Sequence, residues 1–262
     1  MKNHPIGIFD SGVGGTSIWK EINELLPKEN TIYLADSKNA PYGSKSEEQI
    51  VQLSIKNTEL LLEKGCKLIV VACNTATTNA IDYLRKNYKV PFIGIEPAIK
   101  PAALHSRSKT VGVLATKGTL SSSLFNNTSE NHANGIKIVE QVGAGLVPLI
   151  EAGKVYSPET RVLLEKYLKP MLDVGMDHLV LGCSHYPYLI PVLKELLPEH
   201  VKIIDSGEAV ARQTKVVLKQ NLLRNSSHKV GEHQFHSNSD ISTLKSFLKD
   251  LGVRMEISYL DF

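Results

Sequence analysis

Two of the three cysteines, Cys73 and Cys183, stand in matching surroundings. Each closes an apolar run, Leu68-Ile-Val-Val-Ala-Cys73 and Leu179-Val-Leu-Gly-Cys183, and small polar residues follow, Asn74-Thr75 and Ser184-His185. In a parallel sheet such a junction is the carboxyl end of a strand, where open α/β folds bind ligands. A helix starting just beyond it would offer unpaired N–H groups and positive dipole charge to an anion. The same field favours thiolate over thiol, pulling a cysteine below its reference pKa of about 8.5. A single buried cysteine is more often an inert small hydrophobe. A pair at equivalent places in two facing units reverses that expectation. Cys66, which follows Gly65 at the start of a strand and has no twin, reads as structural.

Two facing thiols suit one kind of chemistry. Inverting a stereocentre by proton transfer needs a base on one face and an acid on the other, and a thiol and a thiolate can exchange these roles. A carbanion beside a carboxylate then needs donors aimed at that carboxylate, which helix N-termini and hydroxyls supply.

Other residues gain meaning beside these thiols. Asp10 opens Asp10-Ser11-Gly12-Val13-Gly14-Gly15, whose glycines allow a tight turn and the close approach of a ligand to the backbone. Asp10 is either a helix cap or a proton-handling partner of Cys73. The segment is not a P-loop, because Thr16-Ser17 follows Gly15 where Lys is required. A nicotinamide site is disfavoured by Ser17 in place of the third glycine, although Asp36 stands where a ribose-binding acid would. His185, two residues beyond Cys183, is a candidate acid–base partner. Glu151, in Pro148-Leu-Ile-Glu-Ala-Gly153, is expected to end the second strand of the second unit or to open the next helix. Pro41-Tyr42-Gly43 is turn chemistry at the carboxyl end of the sheet, placed to close over a ligand. His228, His233 and His236 have no Cys or acidic partner at ligand spacing, so no metal site is expected.

The elements that must carry these residues repeat. Strand candidates start near Ile6, Ile32, Leu68 and Phe92, and again, with similar spacing, near Val111, Ile136, Leu179 and Val201. Ile6-Gly-Ile8 answers Val111-Gly-Val113. Between them lie helical segments. Ile18, Ile22, Leu25 and Leu26 share a face before Pro27, Ser46 and Gln49 form a capping box with Gly65 as the stop, and Ser157-Pro158 opens another helix. The fold class is therefore α/β, two similar domains with mostly parallel sheets related by internal pseudo-symmetry and a cleft between them. The tail after about Asn221 resumes a strand–helix pattern and is expected to pack on the first unit. The expected division is 1–97 plus 209–262 for the first domain and 98–208 for the second.

Composition bounds the rest. The 262 residues are 42% apolar and 22% charged, ordinary for a globular protein. A net charge of +3, with lysines scattered among acids, gives no footprint for nucleic acid. No apolar run approaches the roughly 18 residues of a membrane span, and the first residues lead straight into a strand, leaving no room for a signal peptide. A cytoplasmic address is the expectation.

Taken together, the chain resembles the glutamate racemase family over essentially its whole length. The matching words are Asp10-Ser-Gly-Val-Gly-Gly15, Pro41-Tyr-Gly43, Val71-Ala-Cys-Asn-Thr75, Glu96-Pro97, Gly182-Cys-Ser-His-Tyr-Pro187 and Asp205-Ser-Gly207. The resemblance implies a cytoplasmic enzyme interconverting L- and D-glutamate without pyridoxal phosphate, metal or other cofactor, supplying D-glutamate for peptidoglycan. It implies Cys73 on the D-face assisted by Asp10, and Cys183 on the L-face assisted by Glu151 and His185. Substrate contacts would come from Asp10, Ser11, Tyr42, Gly43, Asn74, Thr75, Ser184 and His185, and at the margin from Thr116 and Thr119. The family usually carries threonine where this chain has Ser184, which keeps the hydroxyl and loses a methyl. Glutamate is the expected small-molecule partner, without nucleic acid or membrane, and a homodimer is one assembly compatible with this. The rival readings are a racemase of another acidic amino acid, such as aspartate, and a two-lobed amino-acid-binding protein. The latter would need no paired thiols and would normally carry an export signal.

Overall fold

The computed structural model describes residues 2–132, 135–249 and 251–262. The apolar runs become strands β1 (Ile6–Asp10), β2 (Thr31–Ala35), β3 (Leu68–Val71) and β4 (Phe92–Gly94), then β5 (Thr110–Ala115), β6 (Lys137–Val142), β7 (His178–Gly182) and β8 (Lys202–Ile204). The tail adds β9 (His233–Ser237) and β10 (Met255–Tyr259). Two sheets result, ordered β10-β9-β2-β1-β3-β4 and β6-β5-β7-β8. Every described pairing is parallel. The crossover helices that parallel pairing requires cover the sheets, so β1, β2, β3, β5 and β7 are buried along their whole length.

The order β2-β1-β3-β4 is repeated as β6-β5-β7-β8, so β3 and β7 hold the same place in their sheets. This is the expected α/β class with internal pseudo-symmetry. The helices follow their local signals. Thr16–Leu25 buries Ile18, Trp19 and Ile22. Glu47–Glu63 has the Ser46–Gln49 capping box with both hydrogen bonds formed, and Gly65, at φ +77°, turns the chain into β3. Pro158–Asp173 is capped by Ser157, with Pro158 in the first turn.

The tail joins the first sheet. Thr31 pairs with His233, and Met255 in turn pairs with His233, extending the sheet beyond β2. A helix at Ser242–Leu248 separates β9 from β10.

A buried ion pair secures the amino ends of this sheet's strands. Lys67 Nζ lies 2.6 Å from Glu29 Oε2, with both side chains 2% exposed. The ammonium also donates to the Lys2 carbonyl, and Glu29 Oε1 accepts from the Asn225 N–H at 2.7 Å. The pair thereby joins the N-terminus, the turn before β2, the entry to β3 and the linker to β9. Removing one member strands the other charge without water. Lys67→Ala is expected to lower the unfolding free energy by about 3–5 kcal/mol in urea titration. Lys169→Ala, which breaks an exposed pair with Asp173, should change it by less than about 1 kcal/mol. Equal small effects would contradict a structural role for the buried pair.

Candidate active site

β3 delivers Cys73 to the start of the helix Asn74–Asn87, where it is the N-cap. Its Sγ accepts from the Ala76 N–H at 3.4 Å, and its thiol donates to Ser11 Oγ at 3.7 Å. The sequence suggests a lowered pKa from this helix end, but the net direction is upward. Burial of the sulfur is the largest cause, the charges of Asp10 and Cys183 add to it, and the Ala76 N–H only partly offsets them. Burial thus favours the thiol form of Cys73.

Asp10, at the end of β1, is fully buried. It accepts from the Gly12 N–H at 3.1 Å and from the Ser184 hydroxyl at 2.9 Å. It does not cap the next helix, whose N-cap is Gly15. Burial raises its pKa, opposed by the charge of His185 and the Ser184 hydrogen bond.

At Cys183 the surroundings differ. A 3₁₀ turn, Tyr186–Leu189, and the short helix Ile190–Leu196 follow, so no long helix begins at the sulfur. Pro187 has no N–H to offer, and Tyr186 is buried with its hydroxyl donating to the Gly143 carbonyl. Here the partner is an imidazole, His185 Nδ1 lying 3.8 Å from Cys183 Sγ. On its other side Nε2 lies 2.6 Å from Glu151 Oε1. Burial opposes charge on His185, yet hydrogen bonds with Cys183 and Glu151 and the fields of Asp10 and Glu151 prevail. They hold it well above the usual imidazole value.

Glu151 neither ends β6 nor opens the next helix. It is the last residue of Leu146–Glu151, a one-and-a-half-turn helix that sequence periodicity is too short to reveal. Its Oε1 also accepts from the Val13 N–H at 2.7 Å, and its Oε2 from Ser37 Oγ at 3.2 Å. Its carbonyl accepts from Thr243 Oγ1 at 2.9 Å. Ser37 and Thr243 carried no sequence signal.

The glycines after β1 serve this approach. A Cβ on Gly12 would lie 2.0 Å from Glu151 Oε1, and one on Gly14 would lie 2.2 Å from His185 Nδ1. The sequence suggested a ligand coming close to this backbone, whereas the side chains of the second unit do so here.

The remaining residues form the other wall. Asn74 is buried with both amide atoms unpartnered, an arrangement costing about 1–3 kcal/mol per group unless a ligand supplies the bonds. The hydroxyls of Thr75, Thr116 and Thr119 form a triangle with sides of 2.8, 3.2 and 3.0 Å. Gly43 packs on Thr116, to which a Cβ would approach within 2.7 Å. Tyr42 is turned into the core, its hydroxyl donating to Asp36 and accepting from Asn57 Nδ2 at 3.0 Å. Of this pair, only the backbone is left to meet a ligand. Asp36 is thus engaged in the core, accepting also from Asn39 and Asn238. A cavity of about 280 Å³ adjoins Gly43 and Thr116, lined also by Pro41, Lys117, Gly143 and Pro148. Cys73 and Cys183 lie outside its lining and are 4% and 6% exposed.

Other candidates lie elsewhere. Cys66 packs beside Gly7, and burial pushes its thiol up to about 12. His233 bonds to Thr31 and His236 to Ser258. No group of three His, Cys, Asp or Glu residues able to hold a metal occurs among the described residues. No helix among them is long and apolar enough to cross a membrane.

Residues 6–214 match the family described as Asp/Glu/Hydantoin racemase. The glutamate racemase of Herpetosiphon aurantiacus is 45% identical, over 92% of this chain and 94% of its own. Among solved structures, glutamate racemase isoform RacE1 from Bacillus anthracis superposes with a TM-score of 0.90 at 28% identity, covering 100% of this chain and 99% of the other. Escherichia coli glutamate racemase, solved with L-glutamate and an activator, gives 0.85 at 34% identity, covering 98% of each chain. An aspartate racemase from Picrophilus torridus, at 20% identity and a TM-score of 0.56, over 83% of this chain and 94% of its own, shares the fold alone.

The raised His185 pKa sets a pH dependence. A group whose folded pKa exceeds its unfolded value of 6.5 contributes stability that is fully present below 6.5. That stability is lost as pH rises through the folded value. The melting temperatures of wild type and His185→Asn should therefore differ most at mildly acidic pH and converge at alkaline pH. A gap that widens with pH would contradict the charged pairing.

Proposed function

The chain belongs to the Asp/Glu/Hydantoin racemase family, and within it we propose that this protein interconverts L- and D-glutamate by removing the α-proton with one of Cys73 and Cys183 while the other delivers a proton to the opposite face. The observation that carries this reading is the pair of thiols at the ends of β3 and β7, equivalent strands of two sheets, each with its own ionisable partner. Relatives named glutamate racemase and matching over nine-tenths of the chain favour glutamate over aspartate.

In the L-to-D direction, the Cys183 sulfur takes the α-proton from one face of L-glutamate. Cys73, a thiol, delivers its own proton to the opposite face. The thiols then stand in exchanged states, and the reverse reaction starts from that form. His185, between Cys183 and Glu151, is positioned to hold or return the proton of Cys183. Asp10, its pKa raised by burial and its oxygens bonded to Gly12 and Ser184, acts on Cys73 through its field and is the proposed proton-handling partner on that side. The intermediate carbanion is stabilised by fixed donors around the substrate carboxylates, with Asn74, Thr75, Ser184 and the backbone at Ser11 and Tyr42-Gly43 as the proposed contacts. Neither a metal nor a cofactor enters this scheme. D-glutamate made in this way would feed peptidoglycan synthesis in the cytoplasm, as the family resemblance implies.

Circular dichroism of either enantiomer, incubated with purified protein and a chelator but no pyridoxal phosphate, tests the reading. Both signals are expected to decay to zero. Cys73→Ala or Cys183→Ala should each lower the rate by about 10²–10⁴-fold, while Cys66→Ala should leave it nearly unchanged. Activity that returns only with an added cofactor, or aspartate consumed as fast as glutamate, would overturn it.

A further inference from the structure

Glu151 has a problem that its own unit does not solve. Its carboxylate sits at the carboxyl end of a helix, where the dipole disfavours negative charge. Its Oε1 is fixed by Val13 N–H and His185, but a carboxylate anchored by one oxygen can still swing about that contact. Its Oε2 has one recorded partner, the Ser37 hydroxyl. Fixing both oxygens fixes the plane of the carboxylate and so its aim at His185 Nε2.

Ser37 opens the turn Ser37–Asn39, and its carbonyl accepts from the Ala40 N–H at 3.2 Å. The neighbouring Asp36 is buried and accepts hydrogen bonds from Tyr42, Asn39 and Asn238. The backbone of Glu151 is held from the same side. Thr243 Oγ1, on the helix Ser242–Leu248, donates to its carbonyl, and Phe247 of that helix packs its ring 4.2 Å from Tyr188. Both tethers come from elements of the first sheet, whereas Glu151 and His185 belong to the second.

We propose that Ser37 and Thr243 are positioning residues for the Cys183 half of the reaction, locking Glu151 onto His185 across the contact between the two units. This rests on the racemase reading given above. Neither residue need touch substrate. Their effect passes through Glu151 to the charge of His185, and from there to proton transfer at Cys183. The other ionisable groups facing this cluster are Asp10 from β1, Tyr33 from β2, Cys73 after β3, and Tyr186 and Tyr188 from the turn after Cys183. All are left in place by substitution at residues 37 and 243.

The test is an NMR titration of the histidine imidazoles in the full chain, with the His185 signal assigned by its loss in His185→Asn. It is paired with initial rates in both directions. Ser37→Ala should lower the His185 titration midpoint, weakening its proton affinity by at least about threefold. It should also lower kcat from L-glutamate more than kcat from D-glutamate. Because equilibrium fixes the ratio of the two kcat/KM values, KM must shift to compensate. Ser37→Thr, which keeps the hydroxyl, should restore both readouts. Thr243→Val, which keeps the shape and removes the hydroxyl, should shift the midpoint in the same direction by less. An unmoved midpoint in both hydroxyl-deleting variants, or a Ser37→Thr variant as impaired as Ser37→Ala, would overturn the proposal. Wild-type protein inert towards glutamate would instead overturn the racemase reading, while the titration would still decide whether the tethers set the charge of His185.

Discussion

The seat of Glu151 and His185 against the loop that follows β1 is the contact on which the rest of the site depends. Val13 turns its N–H group towards Glu151, and Ser184 reaches back to Asp10. A charge taken out of water survives only with partners, so each ionisable group in this seat limits where the others can be. Asp10, buried completely, gains the Ser184 hydroxyl and the field of His185, while His185 gains Glu151 and Asp10. Two glycines make the approach sterically possible, because side chains at residues 12 and 14 would occupy the space of the incoming groups.

Around this contact the architecture is symmetric and the chemistry is not. The same strand order brings a thiol to the end of β3 and of β7. Cys73 has a helix N-terminus, the Ser11 hydroxyl and a buried carboxylate for company. Cys183 has an imidazole backed by a second carboxylate. Under the proposed reaction this difference has a use. The substrate presents two faces that are not equivalent, and the two thiols must occupy opposite protonation states at any moment. Repulsion between two close thiolates already disfavours ionising both, and the unlike partners decide which of the two thiols holds the proton.

Most of the fold was legible because its signals are local. The capping box at Ser46, the stop at Gly65 and the Ser157-Pro158 start each act within a few residues, and the apolar runs that became strands need only their own composition. The repetition of the strands along the chain could be read from the repeated words, whereas their order within each sheet could not. What escaped the sequence were contacts made across the fold. Ser37 meets Glu151 over a separation of 114 residues, and Thr243 meets it over 92, distances at which spacing carries no information. Glu151 itself was misplaced because a helix of six residues shows less than two turns of periodicity. Tyr42 keeps only its backbone for a substrate, because its hydroxyl finds Asp36 across the core, an engagement that no local signal announced.

The central claim is that two thiols work on opposite faces of one carbon, and isotope labelling tests it most directly. L-glutamate is incubated in D₂O and both enantiomers are analysed by mass spectrometry before much product has formed. The account predicts D-glutamate carrying deuterium at Cα, delivered by a thiol already equilibrated with solvent, beside L-glutamate that remains mostly protiated. A single base serving both faces would label the two enantiomers to a similar extent. Early L-glutamate as heavily deuterated as D-glutamate would contradict the two-thiol account.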